Sequence, residues 1–312
     1  MPIIVSGSLV YDHIMDFPDR FKNHIHLENI HILNVCFMVE KLGKSRGGTG
    51  GNIAYNLKML GANPILVSSV GRDGRDYIEY LKKQKIRTDY IKKDEKKFTA
   101  SCYITTDLDD NQITAFYNGA LDAAPSVKNV KEKCNLAIIA PTQKDIMRKH
   151  LQECAQTGAK IMFDLGQQIT AFDDKELKDS IKKSHSVIGN DYEIRALQKR
   201  LGWNEEDILE NTEMLIITLG EKGSLIRTSD KQEIRVEACR PSKVEDPTGA
   251  GDAYRAGFLL GLEKGYNLRS CGRLGSVAAS FAIEKYGTQE HRFTKKEFQD
   301  RYRISYREDI NL

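Results

Sequence analysis

"DPTGAGDAYRAGFLLGL", residues 246–262, sets three small residues, Gly249, Ala250 and Gly251, directly before the acid Asp252. Gly257, Leu260 and Gly261 follow at helical spacing and Gly265 ends the run. The spacing therefore predicts a helix that starts within 249–252. Small residues in a first helical turn let a ligand approach free backbone N–H groups, where the helix dipole adds positive potential, so this is an anion site. A carboxylate beside such a site is placed to take the proton from a hydroxyl attacking a phosphoryl group held there. Taken alone, the same residues also fit a plain helix start, with Asp252 as a cap and Gly257 and Gly261 as close-packing positions.

Outward from this stretch, short β-rich runs alternate with helical patterns: "PIIVSGS", "NPILVSSVG", "CNLAIIAP", "AKIMFDLG", "HSVIGND", "MLIITLG" and "GSLIRTS". That rhythm predicts an α/β fold, a mostly parallel sheet covered by helices. Ligands of such sheets collect beyond the carboxyl ends of the strands. Two regions break the rhythm. Residues 11–46 and 98–118 ("FTASCYITTDLDDNQITAFYN") hold strand-like patches without an intervening helix and predict a small β-sheet lid, the alternative being long surface loops. The tail "RFTKKEFQDRYRISYREDINL" reads as a charged, solvated helix and end segment.

A chain of 312 residues fits one large α/β unit, here expected to be a single domain over 1–312. Its 47 Lys and Arg against 44 acids leave a net charge of +3, without the basic surplus of a protein that tracks nucleic acid. Six dispersed cysteines with no C-x-x-C pair argue against a disulfide framework and a zinc cluster, and read as reduced thiols in apolar space. The opening "MPIIVSGSLVYDHIM" reads as a strand rather than a leader, and no run approaches the ~20 apolar residues of a membrane span. A cytoplasmic location with neither nucleic-acid nor membrane partners is expected.

"GGTGGNIAYNLKMLGANPILVSSVGRDG" (47–74) together with "DPTGAGDAYRAGFLLGL" resembles the two signature regions of the ribokinase, or PfkB, family of carbohydrate and nucleoside kinases. The resemblance extends to "GNDYE" (189–193), "TLGEKGS" (218–224) and "YGTQ" (286–289). It implies a ribokinase-like α/β core with a β lid, a homodimer surface on that lid, and transfer of the ATP γ-phosphate to a hydroxymethyl group with Mg²⁺. Position by position, Asp252 resembles the catalytic base, and Gly249, Ala250 and Gly251 the anion hole. Asp12 resembles the acid that binds substrate hydroxyls, while Gly48 and Asn52 match positions that hold the sugar ring. A carboxylate, a close-approach glycine and an amide suit a polyol, whose hydroxyls need acceptors and donors. By themselves Asp12 also reads as a turn residue and "GGTGG" as a flexible turn. Neither a complete G-x-G-x-x-G nor a P-loop is present.

Asn190 and Glu193 resemble the family's N-x-x-E element, with Glu193 reaching Mg²⁺ through water, which suits a reluctantly dehydrated ion. A helix start capped by Asn190 reads equally well. Thr218, Gly220 and Gly223 resemble the turn that meets the nucleotide's ribose and phosphates, Gly287 a loop beside the adenine, and Asp246 and Thr248 a monovalent-cation site for K⁺. Ser276 stands where ribokinase itself usually has asparagine.

For the phosphate acceptor, "SGSLVYDHIM", "HILNVCFMV", "TTDLDDNQITAFYNGA" and "FDLGQ" look most like the bacterial adenosine-kinase-like, or nucleoside kinase, branch. Phe37, Met38, Phe116 and Tyr117 offer apolar faces for a purine, or equally for packing within the lid. The resemblance implies phosphorylation of the 5′-hydroxymethyl group of adenosine or another purine nucleoside. A kinase of ribose or a hexose is the alternative, and a non-catalytic nucleoside or sugar sensor a third, against which Asp252 and the N-x-x-E pair stand.

Overall fold

The structure, a computed structural model, describes residues 1–25, 32, 34–109 and 111–312. Its strands are β1 (Ile3–Ser6), β2 (Val10–Asp16), β3 (Lys41–Gly47), β4 (Pro64–Gly71), β5 (Ile91–Asp94), β6 (Ala100–Thr106), β7 (Gln112–Tyr117), β8 (Leu136–Ile139), β9 (Lys160–Asp164), β10 (Ser186–Asn190), β11 (Met214–Thr218), β12 (Ser224–Thr228) and β13 (Glu233–Val236). Its helices are α1 (Thr49–Met59), α2 (Arg75–Lys83), α3 (Lys144–Ala155), α4 (Asp174–Lys182), α5 (Asp191–Leu201), α6 (Glu205–Leu209), α7 (Ala250–Glu263), α8 (Leu268–Ala282) and α9 (Lys295–Tyr306).

Nine strands form the main sheet in the order β13, β12, β11, β10, β9, β8, β1, β4, β5. The strands from β11 to β5 pair in parallel, and β12 and β13 add an antiparallel edge. Strands covered on both faces read as apolar runs, which is why β8 reads LAII and β1 reads IIVS, every residue buried and Ser6 satisfied by His150. The pleat sends alternate side chains to opposite cores: Ile3 and Val5 join Leu66, Ile138 and Ile216 on one face, while Ile4 joins Val67, Ile139 and Phe163 on the other.

Helix α7 begins one residue after Gly249, whose φ of +80° lets the chain enter the helix from a left-handed turn that only glycine adopts freely. Along α7, a Cβ on Gly257 would stand 2.4 Å from the Leu274 carbonyl oxygen and one on Gly261 would stand 2.7 Å from Cys271 Sγ. Those glycines seat α7 tightly on α8, so the close-packing reading of the pair holds alongside the helix start.

The four-stranded second sheet, ordered β3, β2, β6, β7, is built from the two segments that break the βα rhythm, so they are not plain surface loops. Within the expected lid segments, residues 26–31, 33 and 110 lie outside the described residues. The tail corrects its expectation: α9 buries Phe298 and Tyr302 completely, because these two aromatics four residues apart share one face turned to the core despite the charges around them. Four of the six thiols are buried, whereas Cys36 is exposed and Cys102 half-buried. No described helix is long and apolar enough to cross a membrane.

Candidate active site

A cleft of about 1780 Å³ runs between the two sheets. Its floor is the carboxyl edge of the parallel strands: Ser8 beyond β1, Pro141 and Thr142 beyond β8, Asp164 and Gly166 at β9, Asn190 at β10 and Thr218 at β11. Its wall is the first turn of α7, and its roof is one face of the lid sheet.

Two glycine-rich helix starts converge there. Gly48 caps α1 and Gly249 caps α7, and the first turns carry Asn52 and Asp252. Asn52 Nδ2 donates to Asp252 Oδ2 at 2.8 Å. The amide is oriented by two donors to its Oδ1, Thr288 Oγ1 at 2.8 Å and Gln289 Nε2 at 2.9 Å. One oxygen of Asp252 is thereby held, while Oδ1 accepts from no described residue and remains available to a substrate hydroxyl. Burial raises the Asp252 pKa to about 7, against the pull of Arg255 and the Asn52 hydrogen bond, with Asp164 and Glu193 adding to the rise. A base must be deprotonated to act, so kcat/KM is expected to rise tenfold per pH unit below about pH 7 and to level off above it. A profile flat between about pH 5.5 and 8.5 would remove Asp252 from that role.

The lid's contribution follows from strand register. Asp12 on β2 pairs with Cys102 on β6, and Cys102 pairs with Phe116 on β7, so the three side chains form a row on one face. All three line the cleft. Burial, and then the negative charge of Asp246, raises the Asp12 pKa to about 6. Tyr117, next to Phe116 on the same strand, points to the opposite face and does not line the cleft, though with Phe116 it borders a smaller cavity at the sheet's edge. Phe37 and Met38 do not line the cleft either. Phe37 packs 4.9 Å from both Phe17 and Phe21, ring centre to ring centre, and Met38 is 81% exposed. Of the four apolar candidates, only Phe116 reaches the cleft.

At the far end, Asn190 and Glu193 form a capping box at the start of α5: Asn190 Oδ1 accepts Glu193 N–H and Glu193 Oε2 accepts Asn190 N–H, each at 2.8 Å. The capping reading is therefore realised, and both side chains still line the cleft. Thr218, Gly220, Gly223, Thr248 and Ser276 line it as well. Asp246 and Gly287 stand behind it: Asp246 accepts Thr248 N–H at 2.9 Å and Gly287 N–H at 3.0 Å, which ties the loop before α7 to the one before α9. Sequence reading missed a buried ion pair on the floor. Arg255 Nη2 donates to Asp164 Oδ1 at 2.8 Å, and its Nε lies 2.6 Å from Asp164 Oδ2. The only sequence signal was the position of Arg255, one helical turn after Gly251.

A sequence profile of the pfkB family carbohydrate kinases matches residues 9–295, and the chain belongs to this family. It is 34% identical to the nucleoside kinase of Methanocaldococcus jannaschii over 258 residues, 82% of this chain and 85% of that relative. The structure of Burkholderia thailandensis nucleoside kinase in complex with inosine matches with a TM-score of 0.88 at 34% identity over 99% of both chains. The M. jannaschii nucleoside kinase structure matches with a TM-score of 0.86 at 30% identity, covering 97% of this chain and 98% of that one. The fold is the ribokinase fold, and the protein is a kinase.

Proposed function

We propose that the protein transfers the γ-phosphate of ATP to the 5′-hydroxymethyl group of a purine nucleoside, adenosine among them. The observation that carries this reading is the meeting, in one cleft, of Asp252 at the α7 start with the lid row Asp12, Cys102 and Phe116. The relatives support it: B. thailandensis nucleoside kinase was solved with inosine and with ADP-inosine. Asp12, Gly48 and the amide of Asn52 hold the ribose, Phe116 covers the base, and Asp252 Oδ1 takes the 5′-hydroxyl proton. The N–H groups of Gly249 and Gly251 face the moving phosphoryl group, while Ala250 N–H donates to the Pro247 carbonyl at 3.3 Å. Thr218, Gly220 and Gly223 receive the nucleotide with Asn190, whereas Gly287, outside the cleft lining and bonded to Asp246, makes no contact with its adenine.

Hard oxygen donors suit Mg²⁺, and Glu193 with the buried, incompletely satisfied Asp164 Oδ2 supplies them. These residues would hold the hydrated ion, which neutralises phosphate charge when bound. For K⁺ the residues fit less well, since Asp246 already accepts two backbone N–H groups and Thr248 donates one of them. The outer face of the lid exposes Tyr103, Ile113 and Tyr117, and there we place a second copy of the chain. Six free thiols and a need for ATP suit the cytoplasm.

The test is ATP consumption over a panel of nucleosides and free sugars. Ribose alone can satisfy Asp12 and Asn52, so discrimination falls to the base. Packing it on Phe116 contributes about 1.5–3 kcal/mol before ordering costs, or about 10–100-fold in kcat/KM for adenosine over ribose. Phe116→Ala should erase most of that preference and spare any ribose turnover. A higher kcat/KM for ribose or fructose than for adenosine, inosine and guanosine would replace this reading with a sugar kinase.

A further inference from the structure

Arg255 stands one turn after Gly251 on α7, and helical side chains lean toward the N-terminus, so its guanidinium folds back over the first turn. Its Nη1 lies 2.6 Å from where a Cβ of Gly251 would be. The absence of a side chain at 251 is what lets the cation lie against the anion hole. Asp164 holds the opposite edge through the Nη2 hydrogen bond, with its Oδ2 2.6 Å from Nε, and Glu193 Oε2 stands 4.0 Å from Nη2. Nη1 is bonded to no described residue, and Nε, though close to Asp164, is not aligned to donate to it. Arg255 is only 7% exposed, yet it lines the cleft; Lys222 and Arg240, the other cations among the described lining residues, are both exposed.

A purely structural ion pair in this place would be a poor choice, since a buried pair is often matched in stability by apolar residues of similar volume. An arginine fork fixed along one edge and free along the other has the shape of a phosphate ligand. We propose that Arg255 is a catalytic residue of the phosphoryl transfer, its free Nη1 edge donating to an equatorial oxygen of the γ-phosphoryl group in flight. The inference rests on the function proposed above. In the step, a lone pair of the nucleoside 5′-oxygen forms the new O–P bond and the bond from Pγ to the bridging oxygen breaks. Its electron pair leaves with ADP, and the hydroxyl proton passes to Asp252. Charge on the equatorial oxygens is met by the Gly249 and Gly251 N–H groups from one side and by Arg255 from another.

The experiment compares ATP with its γ-thio analogue in the wild type, Arg255→Met and Arg255→Lys, each checked for folding by circular dichroism and thermal melting. Arg255→Met should lower kcat with ATP by about 10²–10³-fold and leave the nucleoside KM within about threefold, as expected for a donor engaged in the transition state. Sulfur on the γ-phosphorus weakens the contact with the fork, so the wild type should prefer ATP, and that preference should shrink by about tenfold or more in Arg255→Met. A merely structural arginine would slow both donors equally and leave the ratio unchanged, which overturns the inference. So does Arg255→Met turnover within about threefold of wild type. If Arg255→Met does not fold, Arg255→Lys, which keeps the charge beside Asp164 but loses the fork, decides by the same ratio. A wild type unable to phosphorylate any nucleoside would instead sink the functional reading.

Discussion

Asp252→Asn lowers kcat by about 10²–10⁴-fold and at the same time makes the folded protein harder to melt at pH 8. On the proposed function the first effect is the loss of a positioned base: an amide keeps the shape and can still accept from Asn52 Nδ2, but it could not take the 5′-hydroxyl proton. The second follows from the same burial that tunes the base. Folding raises the Asp252 pKa to about 7, from about 3.9 in the unfolded chain. The folded state thus holds the proton more tightly, and stability falls as pH rises through the window between those two values. Above about pH 7 the cost of the buried charge approaches roughly 4 kcal/mol, because each tenfold gain in proton affinity on folding is worth about 1.4 kcal/mol. An asparagine in its place never carries that charge. Calorimetry should therefore show a Tm gap in favour of Asp252→Asn of about 5 °C at pH 8 that nearly closes at about pH 4. Equal melting at both pH values would mean that Asp252 is not held in a desolvating site, and retained turnover would mean that it is not the base.

The motif that carries Asp252 was legible in the sequence while its supports were not. Gly249, Ala250, Gly251 and Asp252 act through local geometry: a left-handed entry, a helix start, and an acid in the first turn. Adjacent residues encode all of it. The supports come from elsewhere: Asn52, the partner of that acid, is 200 positions away, and Asp164, the partner of Arg255, is 91 positions from it. Only the order of strands in the sheet brings β9 beneath α7, and no spacing rule in the chain reports it. Phe116 and Tyr117 are a different case. Their separation into two faces follows from the period of two in a strand, but the sequence does not say which face looks down on the cleft. On α9, Phe298 and Tyr302 lie among lysines and arginines that outnumber them, so composition pointed to solvent while spacing pointed to the core.

Gly223→Ala is expected to cost about 2–6 kcal/mol of stability and to raise KM for ATP more than KM for the nucleoside. Gly223 joins β11 to β12 with φ +87° and ψ −127°, a conformation that side chains rarely adopt. That strain accounts for about 1–3 kcal/mol. A Cβ would also stand 1.9 Å from the Val236 carbonyl oxygen and 2.8 Å from Ala238 N, and these are backbone atoms that cannot rotate away. Relieving the clash requires β12 and the segment after β13 to part, which adds about 1–3 kcal/mol of overpacking. Against a typical total of about 5–15 kcal/mol, the sum shows clearly in denaturant titration. Gly158, in the turn before β9, separates the two causes: its φ is +75°, and a Cβ there meets nothing within 4 Å. Gly158→Ala therefore carries the strain alone and should cost about 1–3 kcal/mol with both KM values unchanged. The turn that holds Gly223 lines the cleft together with Thr218 and Gly220, and on the proposed function parting it moves the groups that would receive ATP and leaves the row of Asp12, Cys102 and Phe116 in place. Equal destabilisation by the two substitutions, or equal rises in both KM values for Gly223→Ala, would show that the turn neither presses on β13 nor serves the nucleotide.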